Sequence, residues 1–114
     1  MEISIDLSYL DSMTGGDKQL MKEMIDIFKE QVPEFVTEMK NFLVTKDYKG
    51  LAAIAHKAKS SISIFGLTQL IADLKEFEIN VANSEKTETY NDFISNFETT
   101  CNQAIIQLDN MNIC

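Results

Sequence analysis

The sequence predicts an all-α protein: an antiparallel up-down four-helix bundle with a short N-terminal cap helix. Three observations predict it. Apolar residues recur at three- and four-residue steps along most of the chain, the spacing of one helix face. One Pro and four Gly in 114 residues, with no Trp, supply little of the turn chemistry that an all-β fold needs. The amphipathic stretches are joined by short connections, which return each helix against its predecessor. A length of 114 residues also fits one domain over 1–114, since two cores would each fall near the size where folding becomes marginal. With 45% hydrophobic and 25% charged residues, the composition is that of a soluble globular chain and not of a disordered one.

Taken in order, the cap element runs over about residues 7–13, and Thr14-Gly15-Gly16-Asp17 breaks it and caps the next helix. Leu20, Met24, Phe28, Phe35, Met39 and Phe42 then mark a helix over about 17–45. Pro33 removes a backbone donor and crowds the preceding turn, so a kink or local break is expected near Gln31–Pro33. Asp47 starts a helix over about 47–65, with Leu51, Ile54, Ala55, Ala58, Ile62 and Phe65 inward and Gly66 at its end. Leu67, Leu70, Ile71, Leu74, Phe77 and Val81 give a helix over about 67–83. Tyr90, Phe93, Ile94, Phe97, Cys101, Ala104, Ile105 and Leu108 give a last one over about 87–110.

Charge excludes several functions. Ten Lys, with no Arg at all, against eighteen acids leave a net charge of −8. Such a surface repels nucleic acid and anionic membranes, and without Arg it lacks the usual bidentate phosphate clamp. Met1–Asp6 carries two acids and no basic stretch, so a secretory signal is not expected, and no apolar run approaches a membrane span. Cys101 and Cys114 form no metal spacing with His56, the single histidine. A reduced, cytoplasmic chain with Cys101 in its core is the simplest reading.

The site reading rests on the 47–65 helix. At about 100° per residue, its core positions fall within about 60° of Leu51, whereas His56 lies about 140° away. A core histidine is thereby disfavoured, but a random surface histidine is not. Three features point past the random one. Ala52 and Ala53 precede His56 by a turn and Ser60 and Ser63 follow it, where an ordinary solvated face carries Glu, Lys and Gln. Ile64 is an apolar residue on the outward side, next to Lys57 on the same flank, and suggests a docking contact. Between residues 40 and 72 five lysines stand against Asp47 alone, a local charge of +4 in a chain whose remainder sums to −12. A cationic patch around one exposed imidazole suits a phosphoryl group or an acidic partner.

A neutral imidazole, with an ordinary pKa of about 6.5, offers a nucleophilic nitrogen at cytoplasmic pH. With no second His and no Ser or Cys triad evident, His56 reads as a nucleophile and not as a base. Lys59, one turn on, can reach a group attached to it as a point charge.

Residues 55–66, Ala-His-Lys-Ala-Lys-Ser-Ser-Ile-Ser-Ile-Phe-Gly, resemble the signature of histidine-containing phosphotransfer (HPt) domains. The pattern is His56, Lys59 three later, two small residues, and Gly66 ten after the His. The Gly-Gly-Asp break, the Phe28–Pro33 stretch and the Asp47 start are similar to that family too, so nearly the whole chain is covered. The resemblance implies that His56 accepts a phosphoryl group from a receiver-domain aspartate and passes it on. It makes Lys59 the residue that steadies the phosphoryl group and Gly66 the glycine that admits the partner closely. The partner face would comprise Ala52, Ala53, Lys57, Ser60, Ser63, Ile64 and Gly66. One departure is Ser60, where the family often has Gly; a hydroxyl there can alter hydrolysis or partner fit.

The expected partner is the receiver domain of a hybrid sensor histidine kinase or a response regulator. No cofactor is expected on this chain, Mg²⁺ and the positioning of the transfer coming from the receiver. The chain is thus a phosphoryl carrier without an ATP site, not an enzyme, and a filled bundle with one free face is expected to be a monomer. The competing reading is a helical interaction module that docks on a receiver or regulator without phosphorylation. A histidine-kinase fragment would need a nucleotide-binding domain that 114 residues cannot also hold.

Overall fold

The computed structural model describes residues 5–111; the readings placed on Met1–Ser4 and on Cys114 lie outside the described residues. Those described residues are helical throughout their regular structure. Five α-helices follow one another: α1 (Ser8–Thr14), α2 (Lys18–Val44), α3 (Tyr48–Ile64), α4 (Thr68–Ala82) and α5 (Tyr90–Asn110). None is long and apolar enough to cross a membrane.

Local chemistry sets the ends. Gly15 takes the left-handed backbone that closes α1, at φ 63°. The Asp17 carboxylate accepts from the amides of Gln19 at 3.0 Å and Leu20 at 3.2 Å, satisfying two orphan donors at the start of α2. Asp47 does the same for Gly50 at 2.9 Å, opening α3. The last helix begins at Tyr90, later than its periodicity predicts, because Thr87–Thr89 winds first into a 3-10 turn.

α2 is one long helix that runs through Pro33 without the local break allowed for at Gln31–Pro33. A proline inside a helix costs ~3 kcal/mol. The neighbouring Val32, Phe35 and Val36 are all buried, and each large apolar side chain taken from water returns roughly 1.5–3 kcal/mol. Packing wins. The apolar stripe of α2 is also turned slightly from the expected one. Ile25, Val32 and Val36 join Phe28, Phe35 and Met39 in the core, while Met24 and Phe42 flank it and Leu20 is exposed.

The four long helices pack in a ring, α2 on α3, α3 on α4, α4 on α5 and α5 on α2, with α1 against α2. Five of the six expected inward positions lie on α3 and the sixth, Phe65, caps its end; all six are buried. Gly50 leaves room there for the Phe42 ring, which a Cβ would strike. Between α4 and α5 the seam is aromatic: Phe77 stacks on Phe93 at 4.0 Å and meets Tyr90 edge-on at 5.4 Å. The buried Tyr90 hydroxyl lies 2.6 Å from the Glu85 carbonyl and 3.0 Å from that of Asn80, tying α5 to the end of α4. Burial pushes this phenol above its ordinary range, helped by the nearby charges of Tyr48, Glu85 and Glu88.

Gly66, at φ 62°, is buried in the turn between α3 and α4. Its carbonyl accepts from the Asp6 amide at 3.1 Å, and a Cβ at this position would land on the Asp6 backbone. Gly66→Ala combines left-handed strain with that collision. It is expected to lower stability by about 2 kcal/mol or more, read as a lower urea midpoint at unchanged slope.

Candidate functional site

The helix α3 carries its buried stripe against the bundle and turns His56 outward, its side chain 64% exposed. The ring is not free, however. Its Nδ1 lies 3.0 Å from Glu78 Oε1 on α4, and Lys59 Nζ lies 3.0 Å from Glu78 Oε2. One carboxylate thus bridges the two residues singled out on α3. With Glu78 ionised, Nδ1 serves as the donor of the first bond, which fixes the neutral tautomer and leaves the lone pair on Nε2.

Partial burial alone would raise the Glu78 carboxyl. The hydrogen bond and charge of Lys59, and then those of His56, outweigh burial and hold it below its ordinary value of 4.5. A depressed carboxyl stabilises the fold above its ordinary value and loses that contribution as pH falls through the folded one. The bridge is therefore complete at neutral pH and dissolves only in acid.

Glu78 is the residue that the periodicity of α3 could not supply. It follows buried Phe77 and lies four residues after buried Leu74, on the shoulder of α4's apolar stripe. A usable signal was the turn at Gly66. His56 is ten residues before it and Glu78 twelve after, so folding the chain back there brings the two to one level.

The other expected residues divide. Ala53, Lys57, Ser60 and Ser63 are exposed, Lys59 is half-buried, and Ala52 and Ile64 lean partly on the core. Ile64 was expected to gain nothing from the core; its packing there removes that argument for docking. The hydroxyls of Ser60 and Ser63 donate to the carbonyls of His56 at 3.4 Å and Lys59 at 2.7 Å, so Ser60 turns back onto its own helix. Lys57 lies on the α2 side of α3, where it lines a groove of about 450 Å³ with Pro33, Glu34, Thr37 and Glu38. Gly66 does not belong to an outward face at all. It is buried, and the segment it admits closely is the chain's own Asp6.

The cationic patch is likewise local in sequence and dispersed in space. Lys40 reaches Glu98 on α5 at 3.6 Å, and Lys59 is held by Glu78 on α4. Charge summed over residues 40–72 missed these carboxylates because they come from α5 and from the later part of α4. Cys101 is buried in the core, and burial pushes its thiol up to about 12, far from a reactive thiolate.

Fold and site together define a helical module presenting one carboxylate-held imidazole to solvent. The family model of the Hpt domain matches residues 23–111, and the chain belongs to that family. Its members act in histidine phosphotransfer within phosphorelays, through interaction with receiver domains. No curated protein and no solved structure matches the chain.

Proposed function

We propose that this chain is a phosphorelay intermediate that accepts a phosphoryl group on His56 Nε2 from a receiver-domain aspartate and passes it to another. The observation that carries this reading is the 3.0 Å contact of His56 Nδ1 with Glu78 on an otherwise exposed ring. A donor at Nδ1 leaves Nε2 as the nucleophile, and in-line attack on an aspartyl phosphate needs a lone pair that faces the partner. The chain supplies the nucleophile and its orientation. The partner is a receiver of a hybrid sensor kinase or of a response regulator, docking over Ala52, Ala53, His56, Ser60 and Ser63, with Lys57 and Ile64 at the far rim.

In this reading the domain spans the chain, is monomeric and cytoplasmic, and is a carrier and not an enzyme. Its long helices form an antiparallel up-down bundle. The pairs Lys29–Asp109 at 2.7 Å and Lys40–Glu98 at 3.6 Å support that arrangement for α2 and α5, since one residue number rises as the other falls.

The test is transfer from a panel of phosphorylated receivers. Acid-labile label moving to the chain supports the carrier, while tight binding without transfer favours a docking module. Lys59 is proposed to steady the phosphoryl group. Lys59→Ala is expected to slow transfer or shorten the phosphorylated lifetime roughly tenfold, equivalent to about 1.4 kcal/mol. Its melting temperature should change little, because a partly exposed ion pair is worth about 1 kcal/mol or less. Rates and lifetimes equal to wild type would reduce Lys59 to a structural partner of Glu78.

A further inference from the structure

A phosphorylated imidazole is a good donor only when its other nitrogen carries a proton, because the ring then leaves as a neutral molecule. Without that proton it must leave as an imidazolate, a far poorer leaving group. The geometry around Nδ1 therefore bears on release as well as on acceptance.

Glu78 Oε1 sits 3.0 Å from Nδ1, and Lys59 on Oε2 at 3.0 Å keeps the carboxylate ionised. The charged residues next to the ring along its own helix are Lys57 and Lys59, and on α4 Glu78 is preceded by Lys75 one turn earlier and by Glu76. Across α3, Glu34 and Glu38 of α2 share the groove with Lys57. Of these groups it is Glu78 that reaches the ring, and it is an anion aimed at Nδ1.

We propose, resting on the reading of His56 as the phosphoryl carrier, that Glu78 is a positioning residue for release: it keeps a proton on Nδ1 of the phosphorylated ring and so keeps the phosphoryl group transferable above neutral pH. In the step itself the Nε2–P bond breaks and its electron pair returns to Nε2. Phosphorus bonds to a carboxylate oxygen of the acceptor aspartate, or to water, which then gives a proton to solvent. Nδ1 keeps its proton throughout, and the ring ends as the same Glu78-held neutral tautomer from which it started. The cycle needs no proton exchange with solvent at the histidine.

The 114-residue chain and its Glu78→Gln variant are phosphorylated with phosphoramidate, and loss of acid-labile label is followed from pH 5 to pH 9. An opposite charge at hydrogen-bond distance favours the protonated form of its partner. At pH 5 the two proteins should therefore lose label alike, and at pH 8 the variant should lose it about tenfold more slowly. Imidazole ¹⁵N signals of the phosphorylated proteins read the proton directly, without ambiguity, since His56 is the single histidine. Glu78→Gln also frees Lys59, so the comparison is repeated in a Lys59→Ala background, where the pH 8 difference should persist.

Coincident profiles overturn the proposal, and so does a difference that vanishes in the Lys59→Ala background, which would make Lys59 the agent. A variant that takes up no label overturns it as well, placing Glu78 in acceptance instead of release. If the wild type itself takes up no label, the carrier reading fails and the inference goes with it.

Discussion

Replacing His56 with Gln is expected to abolish acid-labile phosphorylation from every donor while leaving the fold intact. The ring is 64% exposed and buries no core surface, so its removal opens no cavity. The substitution breaks one solvent-facing bond to Glu78, a class of interaction worth about 1 kcal/mol or less. A Gln amide can itself donate to that carboxylate. What disappears is the lone pair on Nε2, and no second histidine can replace it. The measurement is label retained on the variant after incubation with phosphorylated receivers and with phosphoramidate, alongside a thermal melt. Acid-labile label on the variant would move the nucleophile elsewhere and sink the assignment.

Bulk placed beside the ring should separate docking from chemistry. Ser60→Trp and Ala53→Glu alter exposed positions on α3, so both should fold, at a helix-propensity cost of about 0.7 kcal/mol or less. Transfer from a receiver requires close approach of two surfaces over a contiguous patch. It should fall by about two orders of magnitude, as a displacement of about 1 Å in a reacting pair can cost. Phosphoramidate needs no such patch and should label both variants at close to the wild-type rate. Loss with both donors would mean damage to the imidazole itself. Loss with neither would place the receiver on another face, and the exposed side of α3 would carry no partner.

How far the sequence discloses this molecule depends on where each determinant lies. The inward faces of α3, α4 and α5 follow from periodicity because burial and helical spacing are the same constraint there, as Leu51, Leu74 and Phe97 illustrate. At Pro33 the backbone penalty is local and legible, whereas the burial of Val32, Phe35 and Val36 that carries the helix through it is tertiary. Within the site, the outward angle of His56 is a property of one helix and can be drawn on a wheel. Glu78 belongs to another helix, and only the turn at Gly66 decides which residues come level across the seam. Gly66 is the converse case. Its presence ten residues after the histidine is visible, but its crowding by Asp6 depends on a segment sixty residues away in the chain.

Phe77 and Glu78 are neighbours in sequence that face different seams. The first lies in the aromatic stack with Phe93 and Tyr90, and the second grips the imidazole on α3. A helix advances about 100° per residue, so the angle between these two directions is set by the backbone and cannot relax independently. The aromatic stack thus works as an index pin beside the broader packing of α4 on α3: both hold the roll of α4 about its axis, and that roll aims the carboxylate. Drift in the α4–α5 core is consequently constrained by more than stability. A smaller side chain at position 77 that still folds well can let α4 roll, moving the Glu78 carboxylate off His56 in a seam about 100° away. Residues at this seam should accordingly vary together with those that read the histidine, although no bond joins the two sets.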